Sequence, residues 1–413
     1  MIPEGWKEAR LSDLATIRRG AGSQYLNYVE QPEDGIRLIR IGDFLGNDPV
    51  YVQHSRHIER FILTAGDILI AGTGATAGIV FEVPDEFEGL AFSYNAPLIQ
   101  VADQASKRYI YYVLTSNLMK RQQEALFTGN AQPFLDTKAI GGFRVPLPKR
   151  EERIRIAEVL ETWDRAIETV EALIANARAQ KQALMQQLLP QGTTPPKKRL
   201  PGFSGQWKQA ALGEIGAISS AGVDKKIVEG ETGVRLLNFL DAYKREFIHD
   251  ADLEHVVTAP KAKIQGCSVN KGDVFFTPSS ETRDDIALAA VAAEDMPGVV
   301  YSYHVVRFRP TKRLDLNFSA FLFQTDDFKR QAYRLGDGSG QRYVISQSNF
   351  RKMQVSLPDI EEQAAIGSLL AEHSKSIAEY ETQLSALRQE KAALMQQLLT
   401  GKRRVKAPES EVA

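Results

Sequence analysis

One string of residues decides the layout of this chain. Ala183-Leu184-Met185-Gln186-Gln187-Leu188-Leu189 recurs unchanged as Ala393-Leu394-Met395-Gln396-Gln397-Leu398-Leu399, an offset of 210. Self-similarity at a fixed offset marks a duplicated architecture. Carried backwards without a gap, 18 of the 45 positions in 145–189 match their partners in 355–399. Further upstream the match slips. Lys120-Arg121-Gln122 meets Lys329-Arg330-Gln331, Gly66-Asp67-Ile68 meets Gly272-Asp273-Val274, and Arg37-Leu38 meets Arg235-Leu236. Trp6 with Leu11-Ser12-Asp13-Leu14 meets Trp207 with Leu212-Gly213-Glu214-Ile215. The chain reads as globular unit, helix, globular unit, helix, with loops inserted and deleted in the globular parts.

The matched segments carry an apolar stripe. In the first copy it runs through Ile156, Leu160, Trp163, Ile167, Val170, Ile174, Ala177, Leu184 and Leu188, with Lys181 in the one polar slot. In the second it runs through Ile366, Leu370, His373, Ile377, Tyr380, Leu384, Leu387, Leu394 and Leu398. Steps of four and three give a 3.5-residue period, the period of a supercoiled seam. Pro148 and Pro358 precede the two starts, Pro190 and Gly401 follow the two ends, and Asp359 with Glu362 suggests a capping box. Each helix should have roughly 38 residues, about 57 Å. The stripes are expected to bury each other in an antiparallel pair, which would relate the two halves by a pseudo-twofold axis. Lys181 and Lys391 occupy one equivalent slot in the stripe. Two readings stay open for them: fixing the register, or snorkelling at a frayed helix end. His373 is read as a packed seam residue.

Short apolar runs broken by Gly, Pro and Asn fill the rest. Strands are expected at 36–41, 67–71, 78–83 and 98–101, and again at 235–239, 273–277, 287–292 and 304–309. Helical stretches are expected at 106–124 and 317–333. The fold class is α/β (α+β): two globular domains, 1–148 and 202–358, separated by two long antiparallel coiled-coil helices, 149–190 and 359–401. A proline-rich basic linker, 191–201, joins the halves, and 402–413 reads as a charged, frayed tail.

Composition excludes several classes of protein. The single cysteine, Cys267, allows neither a disulfide framework nor a cysteine zinc site. The start lacks a signal-peptide pattern and no long uninterrupted apolar run exists, so the expected location is cytoplasmic. Catalytic motifs are missing. The glycine-rich stretch 72–78 lacks the Lys-Ser/Thr of a phosphate loop and reads as a tight inter-strand loop. Asn95-Ala96-Pro97 is not the Asn-Pro-Pro-Tyr cluster of amino-methyltransferases. No nucleophile–base pairing or metal site is found, which favours a binding protein over an enzyme.

These residues resemble the specificity (S) subunit of type I restriction–modification systems, over essentially the full length. Gly66-Asp67-Ile68-Leu69-Ile70-Ala71 with Gly74-Ala75-Thr76-Ala77-Gly78 is similar to that family's strand-and-loop signature. Val355-Ser356-Leu357-Pro358 followed by Glu361-Glu362-Gln363-Ala364-Ala365-Ile366 resembles its junction into the conserved helix. The first junction has Arg153 where the second has Gln363, and Thr277-Pro278-Ser279-Ser280-Glu281-Thr282 replaces the glycine loop in the second half. The resemblance implies two target recognition domains, each reading one half of a bipartite, asymmetric double-stranded DNA site. It implies a helical spacer that sets the gap and docks two methyltransferase (M) subunits, with motor-nuclease (R) subunits joining for cleavage. The S subunit itself would be non-catalytic and hold no cofactor; S-adenosylmethionine, ATP and magnesium (Mg) would belong to its partners.

Under that reading the polar loop residues are the candidate DNA contacts, since Arg can read guanine and Asn or Gln can read adenine bidentately. In the first domain they are Thr73, Thr76, Ser93, Tyr94, Asn95, Asn130 and Gln132. In the second they are Ser279, Ser280, Thr282, Arg283, Tyr303, His304, Ser339, Gln341, Arg342 and Tyr343. Arg37/Arg235 and Lys120-Arg121/Lys329-Arg330 recur in both halves, so they suit phosphate contacts or structural ion pairs better than base reading. Lys+Arg against Asp+Glu is 14 and 17 for 1–148, and 20 and 19 for 201–358. Neither domain is basic, so the isolated chain is expected to bind DNA weakly or through a local patch, with partners supplying more backbone contact. Two alternatives remain: a coiled-coil scaffold without a DNA role, and a stand-alone DNA methyltransferase or nuclease.

Overall fold

The computed structural model describes residues 3–30, 32–127, 133–190, 195–339 and 342–405. It divides into two compact units. One comprises Met1–Val170 with Gln383–Ala413, the other Glu171–Thr382. The long helices Arg150–Leu188 and Ile360–Leu399 each contribute to both units. Each unit thus holds one globular domain, the start of the helix that follows it and the end of the other helix. Within each unit the two helical segments run antiparallel.

The repeat is visible in the register of the sheets. In the first unit Lys7–Arg10 pairs antiparallel with Arg144–Leu147, Lys7 opposite Leu147. In the second Lys208–Ala211 pairs with Gln354–Leu357, Lys208 opposite Leu357. Each pair ties the beginning of a domain to its junction with the helix. A four-stranded sheet in the first unit has the order Ala15–Arg18, Leu98–Val101, Ile68–Ile70, Val80–Glu82. Its counterpart runs Gly216–Ser219, Val306–Pro310, Val274–Phe276, Ala289–Ala292, Phe247–Ile248. A second sheet in each domain contains Gly35–Ile39 or Thr232–Leu237. All eight expected strands form, with ends moved by at most three residues and 98–101 unmoved. Each expected helical stretch is two helices: Lys107–Leu114 with Asn117–Phe127, and Leu316–Leu322 with Asp326–Leu335.

Both Gly-Asp signatures have a local cause. Gly66 and Gly272 adopt φ of 74° and 83°, where a side chain is disfavoured. The next residue, Asp67 or Asp273, is buried, and its carboxylate accepts the backbone N–H of Thr64 or Asn270. Asp273 also takes a bidentate pair from Arg309 at 2.7 and 2.6 Å. The stretch 72–78 is the expected tight loop between Ile68–Ile70 and Val80–Glu82.

The helix stripes are covered along their whole length, but unevenly. Ile156 and Leu160 enter the core of the first unit beside Leu398 and Leu399. Met185, Leu188, Ile366 and Leu370 enter that of the second. Trp163, Ile167, Ile377, Tyr380, Leu384 and Leu387 are half-buried, as is His373. Val170 and Ile174, nearer the middle of the first helix, are buried at 4% and 6% exposure although neither belongs to a domain core.

Lys181 and Lys391 do not snorkel, and neither sits at a frayed end. Their side chains are 12% and 18% exposed. Lys391 pairs with Asp164 of the facing helix and lies over Tyr112, whose hydroxyl also donates to Asp164. Lys181 lies over Phe321 and pairs with Glu246, which comes from the globular domain. The position matching Asp164 is Ser374, which donates to the same Glu246 at 2.6 Å. The lysine recurs; the origin of its carboxylate does not.

The expected capping box at Asp359 is not formed. Glu362 instead receives Arg199 at 2.5 and 2.6 Å, and the guanidinium lies over Trp207. In the first unit Glu152 receives Arg404 at 2.6 and 2.8 Å, over Trp6. The linker and the tail therefore supply equivalent arginines, so the tail is anchored at Arg404 rather than frayed there; 406–413 lie outside the described residues. Glu152 keeps a second donor in Trp6 Nε1 at 3.2 Å, whereas Trp207 Nε1 has no partner. An orphaned buried carboxylate costs about 1–3 kcal/mol. Arg199→Ala should therefore lower the melting temperature more than Arg404→Ala, read by thermal denaturation; equal losses would mean that Trp6 does not share Glu152.

The mismatch at the helix junctions is absorbed. Arg153 Nη1 donates to the Pro148 carbonyl at 3.2 Å, and Gln363 Nε2 donates to the Pro358 carbonyl at 2.9 Å. Each also reaches the preceding domain, Arg153 through Ser106 and Gln363 through the Asp315 N–H.

Candidate nucleic-acid interface

In each domain two chain segments cross beside the candidate residues. Ala21 bridges Ser93 in parallel, and Val223 bridges Ser302. The preceding glycine is obligatory: a Cβ on Gly20 would stand 2.3 Å from the Phe92 carbonyl oxygen, and one on Gly222 would stand 2.2 Å from the Ser302 carbonyl carbon. The crossing presents Ser93-Tyr94-Asn95 in one domain and Ser302-Tyr303-His304 in the other. Tyr94 and Tyr303 are 46% and 48% exposed.

A cavity lies at this crossing in both domains. The first, about 800 Å³, is lined by Thr73, Thr76, Ser93, Tyr94 and Asn95 together with Gln24, Tyr28, Arg40 and Asn47. The second, about 720 Å³, is lined by Ser279, Ser280, Thr282, His304 and Arg342 together with Lys225, Phe239, Leu240, Tyr243, Glu281 and Asp285. Residues singled out from sequence thus converge on one place in each domain. The loop after Ile68–Ile70 supplies Thr73 and Thr76, and the loop after Val274–Phe276 supplies the serines and Thr282. The flanking residues Gln24, Arg40, Asn47, Lys225 and Tyr243 were missed. They come from segments with no motif, and only the fold brings them in.

Other candidates lie differently. Arg283 is held down: its Nη2 donates to the Gly336 carbonyl at 2.8 Å, and its guanidinium lies over Tyr333 and Tyr343. That stack also half-buries Tyr343. Tyr303 stacks on His304 at 4.0 Å. Ser339 belongs to the hairpin Asp337–Ser339 with Arg342–Val344. Arg342 Nη2 reaches Ser279 at 2.9 Å across the site. Asn130, Gln132 and Gln341 lie outside the described residues.

Electrostatics at the two sites differ. Burial, then the nearby Lys225 and Arg342, lower the His304 pKa below its ordinary value, so its imidazole is neutral at pH 7 and offers one donor and one acceptor. In the first domain Arg37 and Arg40 are both tied to Asp43, at 2.9 and 3.2 Å. Arg235 is likewise tied to Asp250 at 2.6 Å. Arg37 and Arg235 are thus structural ion pairs. Lys120, Arg121, Lys329 and Arg330 are exposed, and Arg330 lies 3.9 Å from Asp327.

A duplicated domain with a polar cavity at the same crossing, carried on a paired helix, defines a class of two-site recognition protein. The chain belongs to the type I restriction modification DNA specificity domain family, which matches residues 3–177 and 205–388. A curated relative, the type I restriction enzyme MjaVIII specificity subunit of Methanocaldococcus jannaschii, is 24% identical, covering 98% of this chain and 94% of its own. The EcoBI specificity subunit of Escherichia coli is 26% identical over 46% of this chain and 41% of its own. Among solved structures, the S subunit of a type I restriction-modification system from M. genitalium has a TM-score of 0.58 at 15% identity, over 96% of each chain. A chain from a study of type I system assembly and conformational transition has a TM-score of 0.57 at 18% identity, covering 98% of this chain and 100% of that one. No helix among the described residues is long and apolar enough to cross a membrane.

Proposed function

We propose that the two domains each read one half of a bipartite, asymmetric DNA site, and that the paired helices set the spacing and dock two methyltransferase subunits. The observation that carries this reading is the pair of equivalent cavities. The crossing beside each has the same backbone pairing, Ala21 on Ser93 and Val223 on Ser302, while the cavity side chains differ: Asn95 against His304, Thr73 against Ser279. One frame with two sets of polar groups suits two half-sites of different sequence. The matched helices suit two copies of one partner.

On this reading the chain is non-catalytic. Motor-nuclease subunits complete the complex for cleavage, and S-adenosylmethionine, ATP and magnesium are held by the partners, in the cytoplasm. The test is base-modification sequencing of host DNA with the gene present and deleted. A split, asymmetric methylated motif that disappears on deletion is the expected result. A motif that persists would overturn the reading, and S-adenosylmethionine binding by the purified chain would revive the methyltransferase alternative.

A further inference from the structure

Arg19 stands apart from the other half-buried arginines of the first unit. Arg37 and Arg40 share Asp43, and Arg108 lies between Glu82 and Glu161. Arg19 makes no hydrogen bond or ion pair among the described residues, and its Nη1 is buried without a partner. Its guanidinium is stacked instead, 4.3 Å from the centre of the Tyr94 ring and 5.2 Å from that of Phe134. Both rings are about half exposed, and Phe134 bridges Thr73, a residue of the cavity wall. Gly20 fixes the backbone that follows, because it packs directly on Phe92 and Ser93.

A guanidinium packed against two rings has lost much of its freedom before any ligand arrives, so less side-chain entropy remains to be lost. Its donors form a rigid fork that matches two acceptors side by side. Phosphate and the guanine O6/N7 edge both offer such acceptors. The repeat decides between them. Phosphate is common to both half-sites, so a phosphate contact at this crossing should recur. The second domain has Ala221 at the matching position, two residues before Val223, and its carbonyl is already engaged by Lys263 and Cys267. The arginine at the second site, Arg342, comes from a hairpin instead. Arg19 therefore belongs to what differs between the halves.

We propose that Arg19 reads a guanine in the half-site taken by the first domain, with Tyr94 and Phe134 as the clamp that aims it. This rests on the DNA-reading function proposed above. The test uses the full chain co-expressed with its methyltransferase subunits, with base-modification sequencing of wild type, Arg19→Gln and Arg19→Lys. Both variants should lose discrimination at one G·C pair of one half-site, by about 5- to 150-fold, while the other half-site and the gap stay unchanged. Lysine keeps the charge but not the fork, so an Arg19→Lys complex of wild-type specificity would mean a phosphate contact and overturn the proposal. So would a uniform loss of methylation at all sites, with thermal melting of Arg19→Lys confirming that the chain is folded. A split motif that both variants leave intact overturns the role of Arg19 alone; a wild-type complex without a split motif overturns the underlying reading as well.

Discussion

Replacing Glu246 by glutamine is expected to lower the melting temperature of the second unit by roughly 5–10 °C, and adding Ser374→Asp to that variant should restore most of the loss. Lys181 and Glu246 are 12% and 23% exposed, so the pair is screened less than a surface ion pair and more than a fully buried one. Removing one partner of a buried pair costs several kcal/mol; at this burial about 2–3 kcal/mol is reasonable. A domain of this size shifts by about 2–4 °C per kcal/mol. Rescue follows from the first unit, where the carboxylate comes from the helix: Asp164, at the position of Ser374, holds Lys391. In the wild-type background Ser374→Asp should instead destabilise, because it places a second carboxylate against Glu246. A double-mutant cycle read by thermal denaturation would show this reversal of sign. Additive effects would mean that Ser374 does not face Lys181.

The same arrangement restricts how domains can be exchanged. A copy of the first domain grafted before the second helix would bring a tyrosine, the counterpart of Tyr112, over Lys181 but no carboxylate. Ser374→Asp should then be needed. The second domain grafted at the first position would bring Glu246 to a site that already holds Asp164. Each domain and its helix are matched through one charge.

Much of this was legible in the residues, and the limits have physical causes. Ile156, Leu160, Ile366 and Leu370 announce themselves by spacing, because a seam demands a period. The strands follow from β-branched runs between glycines. The candidate loops were legible because they interrupt those runs with polar side chains at matching places in both copies; the fold brings part of them together at a cavity in each domain, while Arg283 and Tyr343 pack elsewhere. What sequence could not show are partnerships across long separations. Lys181 and Glu246 are 65 residues apart, and Glu362 lies 163 residues from Arg199. The local carboxylate three residues after Asp359 looked like a cap because nothing nearby named its distant partner. Arg283 looked free for the same reason, with Tyr333 and Tyr343 folded back on it. Arg19 was overlooked although Gly20, forced by close packing, marks a fixed crossing beside it.

The stripe also misleads about energy, because its positions look equal in sequence. Leu160 and Leu370 have no exposed surface, and each joins the core of a globular domain. Ile167 and Ile377 are half-buried and belong to neither domain core. Burying a large aliphatic side chain and then truncating it costs about 2–5 kcal/mol, from lost transfer energy and the cavity left behind. Leu160→Ala and Leu370→Ala should therefore each cost within that range, with melting temperatures lower by roughly 5–15 °C. Ile167→Ala and Ile377→Ala should cost less than half as much in the isolated chain, since little cavity forms at an open flank. The contrast changes when the methyltransferase subunits are present. If they dock on the paired helices, as proposed, and cover the half-buried Ile167, Ile167→Ala should weaken assembly in a titration monitored by size-exclusion chromatography while leaving the melting of the free chain nearly unchanged. Leu160→Ala should do the reverse. Loss of melting temperature at Ile167 equal to that at Leu160 would show that Ile167 is as enclosed as Leu160, and would remove it from the docking face.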